Sequence, residues 1–165
     1  MYIIPNNGKK RTFSSMRPLR SRCGGVCSGN VSPFSVPKTV VLDRIKTALL
    51  IDDDPDIVHT VGAALESAGF KLLVGHDGTE GLALAERENP DLVVVDMMMP
   101  RRSGFLVIES LRQSQVLPSR IIMITANEGL RHQQYAAELG VDAYLHKPFS
   151  MDMFLSTVDR IFNTD

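Results

Sequence analysis

Ala48-Leu49-Leu50-Ile51-Asp52-Asp53-Asp54-Pro55 joins four consecutive apolar residues to three carboxylates and a proline. A short unbroken apolar run is what a parallel strand buried on both faces requires. Asp54-Pro55, with Asp56 behind it, reads as a helix start: a capping carboxylate, proline at the first helical position and an acid in the first turn. Ile57, Val61, Ala64, Leu65 and Ala68 then recur at helical spacing, and Gly69 stands where a helix C-terminal glycine belongs.

On the C-terminal side of this stretch the same strand–helix unit recurs, five times in all. Lys71–Val74 is the second strand, and Thr79–Glu88 is its helix, stopped by Asn89-Pro90. Leu92–Val95 is the third strand, followed by a helix marked by Phe105, Ile108 and Leu111. Ile121–Ile124 is the fourth, with a helix from about Glu128 to Leu139 closed by Gly140. Ala143–Leu145 is the fifth, and Phe154, Leu155, Val158, Ile161 and Phe162 stripe the last helix. The pattern predicts an α/β fold: a (βα)5 doubly wound parallel sheet of flavodoxin-like strand order 2-1-3-4-5. Its crevice lies beyond the C-terminal ends of strands 1 and 3, where the winding reverses.

The 165 residues are 44% hydrophobic and 22% charged, as expected of a folded domain rather than a disordered chain. No apolar run approaches the roughly 20 residues of a membrane helix. Two cysteines, Cys23 and Cys27, make no disulfide framework and fit a reducing, cytoplasmic setting. The net charge of −1 conceals an asymmetry: residues 1–46 hold nine Lys/Arg and one acid, the rest nine Lys/Arg and eighteen acids. Residues 1–46 lack strand or helix periodicity and read as a basic, disordered extension before a domain at 47–165. A transit peptide, a nucleic-acid or lipid contact, half a metal site at Cys23 and Cys27, and a start codon at Met16 are lesser readings of that segment.

At the strand ends stand Asp52, Asp53 and Asp54, then Asp96, then Thr125, then Lys147. Clustered carboxylates need counter-charge. A lysine supplies one positive charge and a hard divalent cation two, and oxygen donors without Cys or His favour Mg2+ over zinc. An aspartate beside a cation and a lysine is equipped to attack phosphorus and form an acyl phosphate. Taken singly, Asp54 is a helix cap, Thr125 a helix-start residue with Asn127 as cap, Lys147 a surface lysine and Tyr144 a core aromatic; four matching strand ends are the signal.

Leu50-Ile51-Asp52-Asp53-Asp54-Pro55, Asp96-Met97-Met98-Met99-Pro100 with Gly104, Ile124-Thr125-Ala126 and Tyr144-Leu145-His146-Lys147-Pro148-Phe149 stand in the order found in receiver domains of two-component response regulators. Over about residues 47–163 the chain resembles that family. The resemblance implies that Asp96 is the phosphoacceptor. It implies a Mg2+ (or Mn2+) site of Asp52, Asp53, Asp96 and the Met98 carbonyl, with Asp53 the direct ligand of the acidic pair. Thr125 would contact the phosphoryl group and Lys147 would pair with it across a cis Lys147-Pro148 peptide. Thr125 and Tyr144 would form a switch acting on the face of the fourth helix, fifth strand and fifth helix.

The expected partners are a histidine kinase or histidine phosphotransfer protein and a protein target or second copy, with no direct nucleic-acid binding by the receiver and no membrane. The chain reads as a stand-alone receiver, a signalling phosphoacceptor rather than an enzyme. A phosphorylation-independent module on the same fold is the alternative. A haloacid-dehalogenase-like phosphatase is a minor one: Asp54-Pro55-Asp56-Ile57-Val58 meets its nucleophile pattern, but the first aspartate after the strand is Asp52. Asp142 and Arg160 are weak candidates for a dimer contact.

Overall fold

The computed structural model describes residues 2–3, 44–114, 120–126 and 129–163. The chain divides into two units, and the first, Met1–Asn7 with Ile45–Asp165, carries the fold below. Residues 4–43 of the basic segment, with Cys23 and Cys27, and Asn127 lie outside the described residues.

In chain order the elements are β1 (Tyr2–Ile3), β2 (Thr47–Ile51), α1 (Pro55–Ser67), β3 (Lys71–Gly75), α2 (Gly78–Glu88) and β4 (Leu92–Asp96). Then follow α3 (Gly104–Gln113), β5 (Arg120–Thr125), α4 (Leu130–Glu138), β6 (Ala143–His146) and α5 (Met151–Asn163). The five strands β2–β6 are parallel and ordered β3-β2-β4-β5-β6, the predicted 2-1-3-4-5. β1 adds an antiparallel edge, with Tyr2 opposite Tyr144 and Ile3 opposite Ala143. The sequence assigned no strand there, because two residues carry no period; the backbone groups at the open edge of β6 provide the pairing.

Alternation along each strand divides the core. Ala48 and Leu50, with Leu92, Val94, Ile122, Ile124 and Leu145, face Val61 and Leu65 of α1 and Phe154, Val158 and Ile161 of α5. Leu49 and Ile51, with Val93, Val95, Ile121 and Met123, face α2, α3 and α4 through Ala85, Val107, Ile108, Leu111 and Ala136. Both faces being covered explains why these strands read as continuous apolar runs.

The helix boundaries follow their caps. The Asp54 carboxylate accepts from the Asp56 amide at 2.9 Å, and Pro55 opens α1. α2 begins at Gly78, one residue earlier than its apolar pattern suggested, because the Asp77 carboxylate accepts from the amides of Thr79 (2.7 Å) and Glu80 (3.0 Å). Gly69 (φ 87°) and Gly140 (φ 71°) turn the chain through the left-handed region after α1 and α4.

Candidate functional site

β2 and β4 are hydrogen-bonded neighbours running in the same direction, so Asp52 and Asp96 emerge side by side at the point where the winding reverses. Both are almost fully buried, at 1% and 4% exposure. Lys147 follows β6 and reaches back across the edge. Its Nζ lies 2.9 Å from Asp52 Oδ2 and 2.9 Å from Asp96 Oδ1. The Lys147-Pro148 peptide is cis, and the Lys147 amide donates to the Thr125 carbonyl at 2.7 Å, tying this turn to the end of β5.

The remaining carboxylate oxygens are also held. Asp52 Oδ1 accepts from the Asp54 amide at 2.9 Å, and Asp96 Oδ2 accepts from the Met98 amide at 2.6 Å. Burial raises the Asp96 pKa, and the Asp52 charge adds to that; the hydrogen bond and charge of Lys147 and the Met98 amide oppose it without overcoming it. At Lys147 the balance goes the other way: burial disfavours the ammonium, but its bonds to Asp96 and Asp52 outweigh burial and raise its pKa. The proton is therefore held on the lysine. Asp96 is the carboxylate whose charge the fold supports less well than water would.

Thr125 is fully buried at the end of β5. Its hydroxyl donates to Met97 Sδ at 3.6 Å, and the Tyr144 hydroxyl approaches the same sulfur at 3.8 Å. The Tyr144 ring lies inside the core, where burial raises the phenol pKa and a hydrogen bond with Thr125 partly offsets it. Met97 is thus a third member of the Thr125–Tyr144 pair. Sequence reading passed over it because a buried methionine after a strand looks like core. Met98, next along, is 66% exposed at the mouth of the site.

Asp53 is exposed at the rim. Among the described residues, no group of three or more His, Cys, Asp or Glu side chains is arranged to hold a metal ion. The donor chemistry nevertheless fits Mg2+. This cation is usually held by one or two carboxylates and keeps several waters, and Asp52 and Asp96 hold two buried negative charges against one ammonium. The Asp54 carboxylate caps α1, so the phosphatase-type reading that would make it the nucleophile has no support in its contacts. Asp142 accepts from the Ile121 amide at 2.8 Å and pairs with Arg120 at 3.6 Å, an intramolecular use of the side chain considered for a dimer contact.

One contact at this edge was absent from the sequence reading. Arg101, in the loop after β4, pairs with the Asp77 carboxylate at 2.7 Å. No spacing rule links an arginine after one strand to an aspartate after another.

No helix among the described residues is long and apolar enough to cross a membrane. Residues 48–159 match the family model described as "Response regulator receiver domain". The chain is 41% identical over 105 residues to the alkaline phosphatase synthesis transcriptional regulatory protein PhoP of Bacillus subtilis, covering 64% of this chain and 43% of that protein. It is 32% identical over 159 residues to the transcriptional activator protein PfeR of Pseudomonas aeruginosa, covering 89% of this chain and 49% of PfeR. The chain therefore spans less than half the length of these curated relatives. Among solved structures it is similar to the chemotaxis protein CheY4 of Vibrio cholerae, with a TM-score of 0.66 at 30% identity, covering 71% of this chain and 98% of that one. Fold, edge chemistry and family match agree: the chain belongs to the response regulator receiver domains of two-component systems, which are signalling phosphoacceptors rather than ordinary enzymes.

Proposed function

We propose that Asp96 accepts a phosphoryl group from a histidine kinase or a histidine phosphotransfer protein. One observation carries this reading: Lys147 Nζ stands 2.9 Å from both Asp52 and Asp96 at the crevice of the sheet. An Asp96 oxygen attacks phosphorus, the new O–P bond forms as the P–N bond to the donor imidazole breaks, and the bonding pair leaves with the nitrogen. Lys147 is within reach to balance charge on the transferred group, and the Met98 amide orients the attacking carboxylate through its other oxygen. Asp52, Asp53, Asp96 and the Met98 carbonyl are the proposed holders of Mg2+ (or Mn2+), which supplies further positive charge to the phosphoryl oxygens when bound.

An apolar cavity of about 440 Å3 lined by Ile57, Thr60, Pro148, Phe149 and Met151, with Lys147 among them, adjoins the site. It suits the apolar side of a donor protein presenting its imidazole to Asp96. Output is proposed to run through Thr125 and Tyr144 to the α4–β6–α5 face, which engages a protein target or a second copy and makes no direct nucleic-acid contact. The curated relatives' names describe transcription, which belongs to those longer proteins.

The test is intact-protein mass after incubation with acetyl phosphate, with and without Mg2+, on wild type and Asp96→Asn. A Mg2+-dependent gain of one phosphoryl mass, absent in the variant, is expected. No gain in wild type would overturn the reading. The alternative, a receiver fold that signals without phosphorylation, draws on the Tyr144 ring already seated in the core beside Thr125. It predicts that Mg2+ with beryllofluoride, a phosphoryl analogue, leaves the NMR spectrum of the α4–β6–α5 face unchanged.

A further inference from the structure

The loop from Met97 to Ser103 carries the peptide groups that follow Asp96, and it is tied down at both ends. The Met97 amide donates to the Ile124 carbonyl at 2.8 Å, and the Gly104 amide donates to the Met97 carbonyl at 3.1 Å. Arg102 closes a tight turn onto the Pro100 carbonyl at 2.8 Å and reaches Ser110 of α3 at 3.2 Å. Arg101 sits in the left-handed region at φ 67°, which a side chain with a Cβ rarely adopts and which costs energy unless surroundings hold it there.

Its guanidinium is engaged by Asp77. That carboxylate is buried and doubly used: Oδ1 accepts the first free amides of α2, and Oδ2 meets the Arg101 guanidinium at 2.7 Å. The loop after β3 and the loop after β4 are pressed together beside this bridge, since a Cβ on Gly78 would collide with the Arg102 carbonyl. The Arg101 side chain is otherwise 71% exposed, and an ion pair so open to water adds little to global stability. A strained backbone joined to a thermodynamically weak bridge makes little sense as a stabiliser. It makes sense as a brace for the segment between Asp96 and Arg101.

That segment contains Met98, whose amide already donates to Asp96. We propose that Arg101 is a positioning residue: bridged to Asp77, it sets the orientation of the Met98 peptide, so that its N–H meets Asp96 and its carbonyl can serve Mg2+. The proposal rests on the functional reading above. Mg2+ demands near-octahedral geometry, so a carbonyl ligand on an unbraced loop binds it less well even when every side-chain ligand is intact.

Three variants separate charge from backbone. Arg101→Gly removes the guanidinium and relieves the left-handed strain, Arg101→Lys keeps the charge, and Asp77→Asn keeps an oxygen to cap α2 while removing the carboxylate. Each is titrated calorimetrically with MgCl2, and amide hydrogen exchange is followed over residues 97–104 in EDTA. Arg101→Gly and Asp77→Asn are expected to weaken Mg2+ binding roughly tenfold, the low end of what losing an outer support costs a metal site. Both should speed exchange at Met98, the double variant should be no worse than either single one, and Arg101→Lys should recover most of the affinity.

Wild-type affinity in Arg101→Gly overturns the proposal. So does faster exchange with unchanged Mg2+ binding, which would leave the bridge a local fastener only. Absence of Mg2+ binding by wild type would overturn the reading of the site, and this proposal with it.

Discussion

Asp96 is buried beside Asp52 with one lysine between them, and burial wins: its carboxyl holds a proton to higher pH than it would in the unfolded chain. A raised carboxylate pKa means the folded state binds more protons, so stability declines as pH rises through the interval between unfolded and folded values and stays lower above it. In EDTA at pH 7, Asp96→Asn is therefore expected to raise the melting temperature. The gain should be largest above the folded-state pKa of Asp96 and vanish as pH falls to the ordinary carboxylate range. Thermal melts of both proteins across that range test this; a variant less stable than wild type at pH 7 would contradict it. Met98, 66% exposed and two residues beyond Asp96, offers a hydrolytic water no polar partner. Met98→Asn should shorten the lifetime of the phosphorylated protein severalfold, read as loss of the added phosphoryl mass with time. An unchanged lifetime would remove Met98 from the argument.

At the scale of elements, the α3 N-terminus is set against the end of β4. A Cβ at Gly104 would collide with the Asp96 carbonyl oxygen, so Gly104→Ala must displace either the helix or the strand end that carries Asp96. A loss of about 1–3 kcal/mol is expected from such overpacking, measured by urea unfolding. Slower phosphorylation should accompany it. The helices themselves were legible from period and caps: Asp54 and Pro55 open α1, and Asn89 in the left-handed region (φ 47°) closes α2. Where reading missed by a residue, as at Gly78, a glycine carries no hydrophobic signal, and only the Asp77 cap locates the first turn. The edge strand Tyr2–Ile3 was illegible for a different reason: two residues show no alternation, and their partner is the distant β6.

For the whole molecule, a cation that binds only the folded state stabilises it by mass action. Mg2+ at 100 times its Kd should add about 2.7 kcal/mol, read as a rise in melting temperature of several degrees. Asp53→Asn should abolish most of that rise, whereas Mg2+-independent melting in wild type would count against the metal assignment.

The five-unit α/β architecture, the strand order and the residues at each strand end were all legible along the chain. These follow from local periods and from the few ways a right-handed parallel sheet can be wound. How those residues meet emerges only in the folded molecule: Lys147 divides itself between Asp52 and Asp96, Asp53 is exposed, Met97 bridges Thr125 and Tyr144, and Arg101 finds Asp77. Local periodicity is written in neighbours along the chain. Contacts between the ends of separate strands depend on burial, rotamer and charge balance, which exist only once the sheet has brought those ends together.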